Sequence, residues 1–157
     1  MRKGNSVQKC LSEISFRKSP RIPGYDYSSA NYYFVTICTH EKKCCLYSHG
    51  VLNHFGQAAK ECMEEIPAHF SGVRIDKHVV MPNHIHAIVV IEQSCNATLS
   101  TIVGQYKSAV SKQLAVAHLW QRSFHDHVIR NQVSYEKIWN YIDTNPIRWK
   151  DDCFYTE

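Results

Sequence analysis

Two kinds of apolar spacing run along this chain, and they predict its elements. Residues 32–39, Tyr-Tyr-Phe-Val-Thr-Ile-Cys-Thr, are aromatic and β-branched and predict a first strand. Residues 40–52 are polar and mixed, end at His49-Gly50, and predict a loop. Asn53 is a suitable N-cap for a helix running to about His69, with Phe55, Ala58, Ala59, Cys62, Met63 and Ile66 near helical spacing. Pro67 should stop or kink it. Val73–Val80 and the stretch after Met81-Pro82-Asn83 predict a strand hairpin. A long helix is expected over 98–119, with Leu99, Ile102, Val103, Tyr106, Val110, Leu114 and Leu119 on one stripe. Residues 122–130 predict a fourth strand. Ser134 is the expected cap of a last helix that Pro146 terminates.

The order β-α-β-β-α-β, followed by a helix, is that of an α+β, ferredoxin-like antiparallel sheet with an appended C-terminal helix. The first strand and the strand after Pro82 should be central. The two crossover helices should cover one face, leaving the last helix to cross the other. Residues 1–30 carry turn signals and no periodicity, so the expected organisation is an irregular arm over 1–30 and a single domain over 31–157.

The chemistry begins on the strand His84-Ile85-His86-Ala87-Ile88-Val89-Val90-Ile91. Alternation puts His84 and His86 on one face with Cα atoms about 6.5–7 Å apart, close enough for both imidazoles to meet one ion. Ile85, Ala87, Val89 and Ile91 then face a core. A bare His-x-His is equally compatible with two histidines satisfying hydrogen bonds in a half-buried strand. In the last helix, Tyr141 and Asn145 are four apart and share a face. Two imidazoles and an amide oxygen leave positions open on a divalent ion, Mg²⁺ or Mn²⁺, for phosphate oxygens, with Tyr141 available as nucleophile. Taken singly, Tyr141 is also explained as a packing residue and Asn145 as a helix cap.

Composition narrows the class. The chain has 157 residues, 44% of them hydrophobic, and no apolar run of membrane-spanning length. Its seven cysteines include no Cys-x-x-Cys pair, which reads as reduced thiols in a cytoplasmic protein. Charge is uneven. Residues 1–24 carry Arg2, Lys3, Lys9, Arg17, Lys18 and Arg21 against Glu13, a net of +5, while the remainder nets −1. A basic arm on a near-neutral body suits phosphate binding, and equally suits a solubilising tail.

Several segments in the right order resemble the IS200/IS605-like tyrosine transposases, the Y1 group of HUH enzymes, and most closely their REP-associated branch. These are Arg17-Lys18-Ser19-Pro20-Arg21-Ile22-Pro23-Gly24-Tyr25-Asp26-Tyr27, Tyr33-Phe34-Val35-Thr36, Met81-Pro82-Asn83-His84-Ile85-His86, Trp120 through Arg130, and Tyr141-Ile142-Asp143-Thr144-Asn145-Pro146. The resemblance implies metal ligands His84, His86 and Asn145 and a catalytic Tyr141. It implies a transposase-like, metal-dependent single-stranded DNA endonuclease and strand transferase. Such an enzyme acts at hairpins, REP-like or at element ends, through a covalent 5′-phosphotyrosine, as a monomer or homodimer associated with the nucleoid. Candidate DNA contacts are Arg17, Lys18, Arg21, Tyr25, Lys107, Lys112, His125, His127 and Arg130. The tail Asp151-Asp152-Cys153-Phe154-Tyr155 is shorter than in some relatives, which leaves tail-dependent regulation open. Two other readings stay open at this level. One is a hairpin-binding protein of the same fold that does not cut. The other is an unrelated metallohydrolase using His125 or His127 as a third ligand.

Overall fold

In the computed structural model the described residues are Gly24 and residues 30–157. The arm candidates Arg17, Lys18, Arg21 and Tyr25 lie outside them. Four strands form one antiparallel sheet: β1 (Asn31–Cys38), β4 (Val73–Val80), β5 (His84–Ile91) and β6 (His125–Ile129), in the order β4-β5-β1-β6. This is the split-βαβ order, with β1 and the histidine strand β5 in the centre, as expected from the sequence. Between β1 and β4 lie a two-residue pair, β2 (Tyr47–Ser48) with β3 (Val51–Leu52), and helix α1 (His54–His69). Helix α2 (Leu99–Leu114) joins β5 to β6, and α3 (Gln132–Thr144) follows β6. A 3-10 helix over Asn145–Asp151 continues directly from α3.

Every residue of β5 is buried because both faces of the sheet are covered, which explains its nearly unbroken apolar run. On one face Ile85, Ala87, Val89 and Ile91 pack with residues of α1 and α2, including Met63, Ile66, Ile102 and Tyr106. On the other, Phe34, Ile88, Val90 and Ile129 meet Ile138, Tyr141 and Ile142 of α3. Ile138 lies one turn before both Tyr141 and Ile142, so the three share one side of the helix. Polar ties fix how α3 lies. Lys77 Nζ donates to Asp143 Oδ1 at 2.6 Å, and the Tyr135 hydroxyl donates to Asp76 Oδ2 at 2.9 Å.

The boundaries differ from the sequence reading in instructive ways. Helix α2 stops at Leu114, where Ala115 adopts a left-handed conformation with φ 53°. Leu119 and Trp120 are buried all the same, because the Gln121 N–H donates to the Cys38 carbonyl and draws the loop onto the sheet edge. Apolar burial there came from a loop, not a longer helix. Asn131 rather than Ser134 caps α3, its Oδ1 accepting the Ser134 N–H. Pro67 lies in the last turn of α1 without stopping it. Pro146 does not end the helical path either: the chain tightens into the 3-10 turn.

Candidate metal and tyrosine site

The β4–β5 turn is tight, with the Met81 N–H donating to the His84 carbonyl at 2.8 Å. It delivers Asn83 and His84 side by side. The Asn83 amide nitrogen donates to the Phe154 carbonyl at 2.8 Å and to the Lys42 carbonyl at 3.2 Å. Its oxygen must therefore accept, and it lies 2.8 Å from His84 Nδ1. That fixes the tautomer: His84 carries its proton on Nδ1 and presents a bare Nε2 lone pair. His84 Nε2 is 3.0 Å from His86 Nε2. His86 Nδ1 is 2.8 Å from the Thr36 hydroxyl, its neighbour directly across from β1. A hydroxyl can donate or accept, so Thr36 permits either tautomer of His86. When Thr36 accepts, two lone pairs converge on one point.

Opposite the imidazoles stand three groups from α3 and the chain that follows it. The Tyr141 hydroxyl lies 3.3 Å from His86 Nε2 and 3.4 Å from Asp152 Oδ2. Asn145 Nδ2 donates to Asp152 Oδ2 at 2.7 Å. Asp152 Oδ1 accepts the Phe154 N–H at 2.7 Å, and Oδ2 sits 3.7 Å from His84 Nε2. All of these are buried, and Tyr141 is 8% exposed. The Phe154 ring closes the site against His84, with ring centres 4.8 Å apart.

Electrostatically, the nearby positive charge is that of Lys42, which acts on His84 from outside the centre with its ammonium 5.3 Å from the middle of the Phe154 ring. Burial holds His84 down at about 4 and drives His86 further below the usual histidine range, so both are neutral at pH 7. Asp152 is buried beside these two neutral imidazoles. Burial first, and the Asp152 charge second, push the Tyr141 phenol well above its ordinary value. Asn145 Oδ1 is buried and has no hydrogen-bond partner among the described residues. The donor atoms of His84, His86 and Asp152 all lie within 4.8 Å of one another. An orphaned amide oxygen, converging imidazole nitrogens and a buried aspartate side chain fit a divalent cation by donor type.

The same burial has a measurable consequence for the metal-free protein. The unfolded chain takes up protons at His84 near pH 6.5, whereas the folded chain resists until about 4. Stability is therefore full above pH 6.5 and falls as pH drops, by up to ~1.4 kcal/mol per unit for His84. His86 acts in the same direction. Urea midpoints in EDTA should be clearly lower at pH 5 than at pH 7.5; equal midpoints would contradict the neutral buried pair.

The structure thus brings His84, His86, Tyr141 and Asn145 together, as the sequence suggested. It adds Asp152, Asn83 and Thr36, which sequence reasoning missed. Thr36 had one signal, a polar residue inside an otherwise apolar strand. Asp152 had none, since a 3-10 turn carries it back without periodicity. His125 stands near this centre, its ring 5.9 Å from Phe154, and His127 pairs across from Phe34 on β1. Neither is among the described clusters of metal-ligating groups. Lys107 and Lys112 are not at the site, because α2 covers the opposite face of the sheet. The Lys107 ammonium instead donates to the Gln121 and Ser123 carbonyls, both at 2.8 Å, and pins the loop before β6. Arg130 lines a separate polar cavity with Arg74, Asp76 and Tyr135.

Residues 27–145 match the family model described as "Transposase IS200 like". The chain belongs to the IS200-like transposase family. An uncharacterized protein of Haemophilus influenzae (strain Rd) is 37% identical to it over 173 aligned positions, spanning 92% of this chain and 96% of the relative. The fold is similar to that of a REP-associated tyrosine transposase solved bound to a REP hairpin, with a TM-score of 0.68. That likeness covers 82% of this chain and 74% of the other at 20% identity. Membership of the transposase family gives the chain a DNA-processing role. The family match ends at Asn145, so Asp152 and the Phe154 lid lie beyond it. Among the described residues, no helix is long and apolar enough to cross a membrane.

Proposed function

We propose that this protein is a metal-dependent endonuclease and strand transferase for single-stranded DNA at hairpins, with Tyr141 as its nucleophile. The observation that carries this reading is the placement of the Tyr141 hydroxyl 3.3 Å from His86 Nε2 and 3.4 Å from Asp152 Oδ2, the oxygen that also accepts from the Asn145 amide. His84, His86 and Asp152 would hold a divalent ion, Mg²⁺ or Mn²⁺, and the buried, unpartnered Asn145 oxygen would be a further donor to it. When bound, such an ion polarises a phosphate and draws off the charge that develops in the transition state.

The chain's own residues do the rest. A cavity of about 270 Å³ opens onto Tyr141 and Asn145 and is flanked by Lys137 and Arg148. Two cations at the mouth suit a phosphodiester, with Arg148 able to hold its oxygens in a fork. Asp152 Oδ2 and His86 Nε2 are the two proton acceptors within reach of the phenol. With burial and Asp152 both raising its pKa, the phenol ionises at neutral pH only when positive charge balances the site. Tyr141 Oη then attacks phosphorus, and the P–O bond to the 3′ oxygen breaks. The 3′ oxygen takes up a proton and leaves as a hydroxyl, while the 5′ phosphate stays on the tyrosine. The bond count is unchanged, so the reverse attack can join strands without an external energy source. Asn83 holds the His84 tautomer and so acts by orientation, and Asp152, besides its place among the donors to the ion, holds the Asn145 amide.

The test is a nicking assay on an end-labelled DNA hairpin with unpaired flanks, with Mn²⁺ and with EDTA. Cleavage in Mn²⁺ alone, with one labelled half shifted onto protein in a denaturing gel, is the expected result. Tight hairpin binding with no cleavage in any divalent metal would leave a binding protein of this fold instead.

A further inference from the structure

The 3-10 helix over Asn145–Asp151 stands between two cavities. Across a kink at Arg148 (φ −107°, ψ 23°), Asn145 and Arg148 present one edge of this segment, and Pro146 and Trp149 present another. The first edge faces the Tyr141 cavity described above. The second lines a cavity of about 490 Å³, walled also by Met81, Pro82, Tyr47 and His49. The two cavities lie on either side of this one short segment. Pro82 precedes Asn83 and His84 by one and two residues, Pro146 follows Asn145 directly, and the Trp149 ring lies 5.8 Å from the His84 ring.

We infer that this second cavity is a nucleobase subsite, in which one unpaired base next to the attacked phosphate stacks on Trp149. The inference rests on the proposed reaction and specifies where its substrate strand lies. Four observations support it. The volume falls within the range of small-ligand sites and admits a single nucleoside. The Trp149 indole is braced edge-on by Tyr155, with ring centres 5.2 Å apart at 67°, so it offers a fixed aromatic wall at little entropic cost. Stacking on such a wall tolerates any base, which suits a strand held mainly by its backbone. Across the cavity stands the tip of the β2–β3 hairpin, where both His49 and Gly50 have positive φ, 52° and 79°. That turn places an imidazole, a donor and acceptor for base edges, among the lining residues. Tyr47 contributes its ring, since its hydroxyl is committed to the Val80 carbonyl at 2.9 Å. The Arg148 edge and the Trp149 edge of one short helix would then take a phosphate and its neighbouring base.

The experiment compares two DNA hairpins in EDTA, one with unpaired dT flanks and one with abasic flanks of the same length. The wild-type protein should bind the dT-flanked hairpin about tenfold more tightly, as expected for one stacked base. Tryptophan emission should fall with the dT flanks only. Trp149→Ala should bind both hairpins with the weaker affinity. Trp149→Phe, which keeps a stacking ring and the packing, should retain most of the preference but lose the dT-specific quench. An intact tenfold preference in Trp149→Ala, or an unchanged quench in Trp149→Phe, would overturn the subsite. Adduct formation by the wild-type protein in Mn²⁺ is measured in parallel. If adducts form while the preference ignores Trp149, the subsite alone fails. If the Trp149-dependent preference holds without adducts, the proposed chemistry fails and the subsite stands.

Discussion

Tyr141→Phe is expected to bind hairpin DNA with the wild-type affinity and to form no covalent adduct. The ring sits in a packed corner, 5.2 Å from His86 and 6.1 Å edge-on from Phe34, centre to centre, and phenylalanine fills the same space. Only the hydroxyl is lost, together with its long contacts to His86 and Asp152, for a stability change of about 1 kcal/mol. The nucleophile has no substitute within the site, so adduct yield should fall by roughly four orders of magnitude or more. Tyr106 and Tyr135 cannot stand in. The Tyr106 hydroxyl donates to the Ala59 carbonyl on the far side of the sheet, and that of Tyr135 donates to Asp76. Adduct yield on a denaturing gel, read beside a hairpin-binding isotherm, decides this.

His86→Ala should separate cation binding from DNA binding. His86 is fully buried between Thr36, His84 and Tyr141. Its loss removes one donor nitrogen outright, and Mn²⁺ affinity measured by calorimetry should drop at least ~100-fold, beyond what loss of an orienting partner costs. Cleavage should vanish with it, while hairpin affinity changes little because Lys137 and Arg148 at the cavity remain in place. Asp152→Asn, which preserves shape and removes charge, should weaken Mn²⁺ binding by ~10–100-fold. Undiminished Mn²⁺ affinity in both variants would show that these donors do not form a cation site.

Much of this centre could be read from spacing alone, and the parts that could not have physical reasons. Period two on β5 placed His84 and His86 on one face, and a four-residue step on α3 placed Tyr141 above Asn145. Both are local rules that hold wherever the element forms. The partners of those groups depend on what folding brings together. Thr36 meets His86 only because β1 pairs with β5 in that register. Asp152 reaches the imidazoles only because the helical path persists past Pro146 as a tighter turn, where a proline had suggested an end. Lys107 stood out on charge, but the loop it pins depends on where α2 stops. The tail was read as short, yet its Phe154 and Asp152 close the site.

The most direct measurement is to map the covalent linkage. The protein is incubated with a single-stranded DNA hairpin and Mn²⁺, digested with protease and nuclease, and the nucleotide-bearing peptide is sequenced by mass spectrometry. The residual 5′-phosphonucleotide is expected on Tyr141. Attachment to any other residue, or nicked DNA with no protein attached, would contradict this account of the site.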